Sequence, residues 1–123
     1  MAHDTIEIYV HNLTADEAVP WLREVFQEVV RDEDALVLTY EGIYDGETVP
    51  VQIAEEVEGG PYTSVWFNAP RMPWETATAC ARDAQDGLGK EVLCFLNDPE
   101  KPWTMLRVTA EGEEYVDKRE VEL

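Results

Sequence analysis

Five apolar residues in succession, Val92-Leu93-Cys94-Phe95-Leu96, constrain this chain more than any other stretch. A run this short without a polar break predicts a strand covered on both faces, and hence a sheet with a further layer upon it. The layer is legible just upstream. Pro73 suits the first position of a helix, where its missing N–H costs nothing. Glu75 follows in the first turn, opposite the positive end of the dipole. Trp74, Ala77, Ala81, Ala84 and Leu88 recur at alternating spacings of three and four, which makes one apolar stripe. Gly89 ends the helix, with Lys90 at its negative end.

The remaining segments read as elements packed around that unit. Ile6, Ile8 and Val10 alternate with polar residues in a half-buried first strand. Thr14 and Glu17 form a capping box, and the stripe Ala18, Leu22, Val25, Phe26, Val29 predicts a helix reaching Val29, with Pro20 either at the edge of its first turn or at a kink. Asp32-Glu33-Asp34 interrupts it, Ala35 to Tyr40 reads as a strand, and Asp45-Gly46 is a hairpin turn. In Thr48 to Val57, Val49, Val51 and Ile53 share a face, while Pro50 predicts a sheet edge. Tyr62 to Ala69 is a further strand. Trp103 to Thr109 and Glu114 to Leu123 form a closing hairpin around Glu111-Gly112. The expected fold is one α+β domain over residues 1–123, in the order β-α-β-β-β-α-β-β-β, with a mostly antiparallel sheet and both helices on one face.

Charge sets the functional question. There are 27 acidic against 9 basic residues, a net charge of −18. Residues 1–60 hold 15 acids and 2 bases, a balance of −13, whereas residues 61–123 hold 12 and 7, a balance of −5. Such acidity argues against nucleic acid and anionic membranes as partners and for basic proteins. No run of 18 apolar residues and no basic segment followed by an apolar one is present, so neither a membrane span nor a signal peptide is expected. Cys80 and Cys94 fall on apolar faces; the two could pair, but buried reduced thiols of a cytoplasmic protein are the expectation.

The residue patterns supply no catalytic machinery. His3 and His11 have no neighbouring ligands at metal-binding spacing, so no metal or other cofactor is expected. A nucleophilic cysteine needs an electropositive, accessible setting, and neither thiol has one. Gly87-Leu88-Gly89-Lys90 resembles a phosphate loop only superficially. It follows a helix rather than preceding one, and Glu91 stands where Ser or Thr is required.

Two groups of residues are candidates for binding. The first is the acidic set Asp32, Glu33, Asp34, Glu41, Asp45, Glu47, Glu55, Glu56 and Glu58, which a hairpin between the second and third strands would bring to one side. The second is Tyr62, Trp66 and the loop Pro70-Arg71-Met72-Pro73-Trp74, since aromatics, Met and Arg are enriched at interfaces, with Trp74 shared between an interface and a core reading. A small, acidic, tryptophan-bearing α+β chain with no chemistry of its own resembles bacterial polymorphic-toxin immunity proteins. That resemblance implies an inhibitor that neutralises a basic toxin, nuclease or DNA-binding protein, and it assigns no residue roles. A phage-type nucleic-acid mimic and a salt-adapted acidic protein are the alternatives, and homo-oligomerisation stays open.

Overall fold

A computed structural model describes residues 5–121. Its elements are β1 (Thr5–His11), α1 (Ala15–Val25), β2 (Glu28–Arg31), β3 (Thr39–Tyr44), β4 (Glu47–Ala54), β5 (Tyr62–Asn68), α2 (Ala77–Leu88), β6 (Val92–Phe95), β7 (Thr104–Thr109) and β8 (Gly112–Asp117). Short 3-10 turns follow β4 and β8, at Val57–Gly59 and Lys118–Glu120. The strands form one antiparallel sheet in the order β2-β3-β4-β5-β1-β6-β7-β8. The fold is α+β with the expected order of elements and one strand more. Of the earlier expectations, His3, Glu122 and Leu123 lie outside the described residues.

Both helices pack on the same sheet face. Ala18, Trp21 and Leu22 of α1 and Cys80, Ala81 and Ala84 of α2 share one buried cluster with Ile6, Ile8, Val10, Val65 and Phe67. Alternation of side chains along each strand makes this a single face of the sheet. The aromatic centre is Phe67, fully buried, with ring centroids 4.9 Å from Trp74 and 6.2 Å from Trp21 and Phe26. Trp21 and Trp74 stack at 5.8 Å, and the Trp74 Nε1–H donates to Asp83 Oδ2 at 2.8 Å. Trp74 is therefore a core residue. On the opposite face a small cluster of Tyr62, Leu93 and Met105 is covered by Tyr9, Phe95, Val116 and Val121, so β6 is apolar on both sides as its sequence implies.

Local signals hold where they are short-range. Thr14 accepts from the Glu17 N–H at 3.2 Å while the Glu17 carboxylate accepts from the Thr14 N–H at 3.0 Å, completing the capping box. Such a cap stabilises a helix by about 1 kcal/mol. Asp45 and Gly46 both have positive φ, 51° and 78°, the backbone of a two-residue hairpin turn whose twist suits the flanking strands. Gly89 closes α2 with φ 68°.

Four expectations are corrected. The stripe through Val29 is not all helix: α1 ends at Val25, Phe26 is already extended, and Glu28–Arg31 pairs with β3. The β-branched pair Val29-Val30 suits a strand, and Phe26 stays buried without the helix continuing. The strand expected from Ala35 to Tyr40 begins only at Thr39: its pairing with β4 runs from Tyr44↔Glu47 to Thr39↔Gln52, with one further bond from Ile53 to the Leu38 carbonyl. Third, α2 starts at Ala77, with the Thr76 hydroxyl accepting from the Ala79 N–H at 3.1 Å, so Pro73 and Glu75 precede the helix.

The fourth concerns Pro50. Its strand, β4, lies inside the sheet between β3 and β5, not at an edge. Ile53 donates its N–H to the Leu38 carbonyl on the β3 side, at 3.0 Å. Because backbone donors alternate sides along a strand, the nitrogen of Pro50 faces β5. There the ladder ends at Val51↔Phe67, so the proline removes no ladder bond.

Candidate functional site

The sheet register places the acidic set. The ends of β2, β4 and β1 and the starts of β3 and β5 meet at one end of the sheet, since Arg31 pairs with Tyr40, Ala54 with Ser64 and His11 with Tyr62. The β2–β3 connection with Asp32, Glu33 and Asp34 therefore lies at the same end as the β4–β5 connection with Glu55, Glu56 and Glu58. Asp45 and Glu47 lie at the opposite end, about 25 Å away along an eight-residue strand. Glu41 is exposed in mid-strand, paired with Pro50 on the face without helices. The nine carboxylates share one flank of the sheet but do not converge on one point.

They also differ in what they do. Glu55 Oε2 accepts from the Ala15 N–H at 2.6 Å, the first amide of α1, and so serves the helix terminus beside the capping box. Asp45 pairs with Arg71 at 2.9 Å, an exposed bridge that contributes little to stability. Asp32 Oδ1 accepts from the Asp34 N–H at 3.1 Å, which shapes the start of its loop. Among the described residues Asp32, Glu33, Asp34, Glu41, Glu47, Glu56 and Glu58 have no ion pair. Glu56 and Glu58 stand in left-handed backbone, with φ 49° and 54°, a conformation costing about 1–3 kcal/mol each for residues other than glycine.

On the far flank several carboxylates are compensated. Arg82 binds Glu113 through two nitrogens, at 2.8 and 3.0 Å, Arg107 binds Glu114 at 2.8 Å and lies 3.5 Å from Glu91, and Arg119 binds Asp117 at 2.6 Å. These arginines hold the Glu113 and Asp117 carboxyls below their ordinary range. Arg119 also stacks over the ring of Trp103.

The two aromatic candidates separate. Tyr62 is 5% exposed, donates its hydroxyl to Glu91 and meets the His11 ring edge-on at 5.3 Å, so it offers no contact surface. Trp66 is half-buried on the open face, paired with Glu7 and Gln52. Burial first, then the hydrogen bond to Glu91 and its charge, push the Tyr62 phenol up to about 12. Burial and the Glu7 carboxylate, with a further contribution from Glu58, raise Tyr9 as well. A phenol raised on folding contributes stability that is complete below its unfolded value near 10 and is lost as pH climbs through the folded value. The unfolding midpoint in urea is therefore expected to fall between pH ~10 and about 12, and to fall less in Tyr62→Phe; equal slopes in the two proteins would count against the assignment.

Sequence reasoning passed over an apolar feature of the same flank. Leu36 is fully exposed, and Val37 and Val30 are 55% and 53% exposed. A hollow of about 300 Å³ lies among Arg31, Asp32, Glu33, Leu36 and Val37. Nothing local marks it, because an apolar run reads as a strand whether or not it finds a partner.

Cys80 and Cys94 are free and buried, and burial pushes both thiols up, Cys94 to about 11. Among the described residues no three His, Cys, Asp or Glu side chains gather as metal ligands, and no helix is long and apolar enough to cross a membrane. No family model, curated protein or solved structure matches this chain.

Proposed function

We propose that this chain is a non-catalytic binding protein that neutralises a basic protein, in the manner of an immunity protein acting on a nuclease or other toxin. The observation that carries the reading is the asymmetry of charge compensation. Residues 28–60, which make the β2–β4 flank, hold ten carboxylates against Arg31 alone; residues 90–121, which make the β6–β8 flank, hold eight against five lysines and arginines. Charge added for solubility alone gives no reason for one flank to be largely paired and the other, apart from Asp45 and Glu55, unpaired. A largely unpaired acidic flank steers a cationic partner and repels acidic ones, including a second copy of itself. Two free buried thiols suit a reducing compartment, so we place the protein in the cytoplasm.

The test is affinity capture from a nuclease-treated lysate at low and at moderate salt, followed by association kinetics with the captured protein. One dominant basic protein is expected, with Glu33→Lys/Glu56→Lys/Glu58→Lys slowing its association about tenfold or more and flattening the salt dependence. Glu55 is left intact because reversing it would disturb α1. An unchanged rate would sink the acidic flank as the binding surface. A captured DNA-binding protein released from its DNA would favour nucleic-acid mimicry instead, and the absence of any partner would favour acidity for solubility.

A further inference from the structure

We propose that the β2–β3 connection, residues 32–38, is where the partner attaches, and that it takes a cationic protein surface presenting an aliphatic or aromatic side chain bracketed by lysine or arginine. This rests on the function proposed above and assigns its point of contact. Leu36 has no burial at all, and Val37 and Val30 keep more than half of their surface in water. Scattered exposed aliphatics are ordinary, but these belong to one loop and the strand leading into it, beside a hollow of about 300 Å³. That volume, lined mostly by polar surface, admits the partner's lysine or arginine, while exposed Leu36 and Val37 take its apolar side chain. Asp32 and Glu33 line the hollow and Asp34 follows in the same loop, none of them ion-paired among the described residues. Exposed apolar side chains beside unpaired carboxylates supply the two parts of an interface anchor, the first giving contact area and the second setting the sign of the partner.

The loop is held at its base. Asp32 donates its N–H to the Thr39 carbonyl at 2.9 Å, the Thr39 hydroxyl donates to the Val37 carbonyl at 2.9 Å, and the Leu38 carbonyl accepts from Ile53 at 3.0 Å. The apolar tip is therefore presented from fixed strands, which lowers the ordering cost of binding. Arg31, also lining the hollow, is the one cation of this flank, too few to invert its sign. A second copy is disfavoured as occupant, since it would set the same three carboxylates against themselves.

The experiment compares the full chain with Leu36→Ser/Val37→Ser, whose exposed sites leave the melting temperature unchanged. In the lysate capture described above, the double variant is expected to retain at least tenfold less of the basic protein. Equal retention by both would overturn this attachment point while leaving the proposed function standing. Retention of nothing by either would overturn both. In parallel, backbone amide spectra are followed during titration with two synthetic peptides, one of lysine and arginine around a central leucine, the other with serine in its place. Saturable shifts at residues 32–38 with the leucine peptide, at least tenfold weaker with serine, are expected. Equal binding of the two peptides, shifts centred elsewhere, or self-association of the chain would overturn the proposal.

Discussion

Phe67→Ala is expected to lower the free energy of unfolding by about 3–5 kcal/mol, a large share of the ~5–15 kcal/mol typical of a domain. Phe67 is fully buried on β5, near the middle of the sheet, between Ile6 of β1 and Val51 of β4. Its ring touches three other aromatics, Trp74, Trp21 and Phe26. The cost is at the upper end because the walls of the cavity cannot close. Trp21 and Trp74 brace each other by stacking, Trp74 is tethered to Asp83, and both strands beside β5 are paired on their far sides. Urea unfolding followed by tryptophan fluorescence measures the effect, with the slope m unchanged if only stability is altered. Phe67→Leu keeps most of the volume and is expected to lose much less. A loss below about 1.5 kcal/mol for the alanine variant would show that the site collapses around the gap.

The second large effect has the opposite sign from the one helix propensity predicts. Gly87 lies in the last turn of α2, where replacing glycine by alanine ordinarily stabilises by up to about 1 kcal/mol. Here a Cβ would sit 2.3 Å from Cδ1 and 2.9 Å from Nε1 of Trp21, far inside normal contact distance. Trp21 is 3% exposed and stacked on Trp74, so it cannot withdraw. We expect Gly87→Ala to destabilise by about 1–3 kcal/mol net, with a melting temperature several degrees lower. Trp21→Ala in the same chain opens the space, and in that background the cost of Gly87→Ala should vanish or change sign. Additive effects of the two substitutions would refute the contact. The close approach of α1 and α2 would then need another explanation.

The acidic flank illustrates how far charge alone can be read. Which residues are acidic, and that the first half of the chain carries most of them, is plain in the sequence. Their division between two ends of the sheet is not, because it depends on which strand termini coincide. Glu55 looked like its neighbours Glu56 and Glu58 until its contact with Ala15, forty residues away, set it apart as a helix cap. Tyr62 looked like an interface aromatic until Glu91 and the strands beside it enclosed it. Leu36 and Val37 looked like part of a buried strand, because an apolar run normally signals burial and nothing local reports the absence of a partner.

What the sequence by itself determined are the features set within about a turn or a strand of each residue. These include the Thr14–Glu17 cap, the Asp45-Gly46 turn, the alternation of Ile6, Ile8 and Val10, the alanine face of α2, its Gly89 stop and the apolar β6. Each follows from dihedral preference or from side-chain period, and neither needs a distant partner. Only the tertiary structure decided that Val29 leaves the helix for an edge strand, that Pro50 sits inside the sheet, and which carboxylates remain unpaired. Those outcomes rest on pairing between strands far apart in the chain. There the stability gained by completing a ladder and filling a core outweighs the local preference of a stripe or a proline.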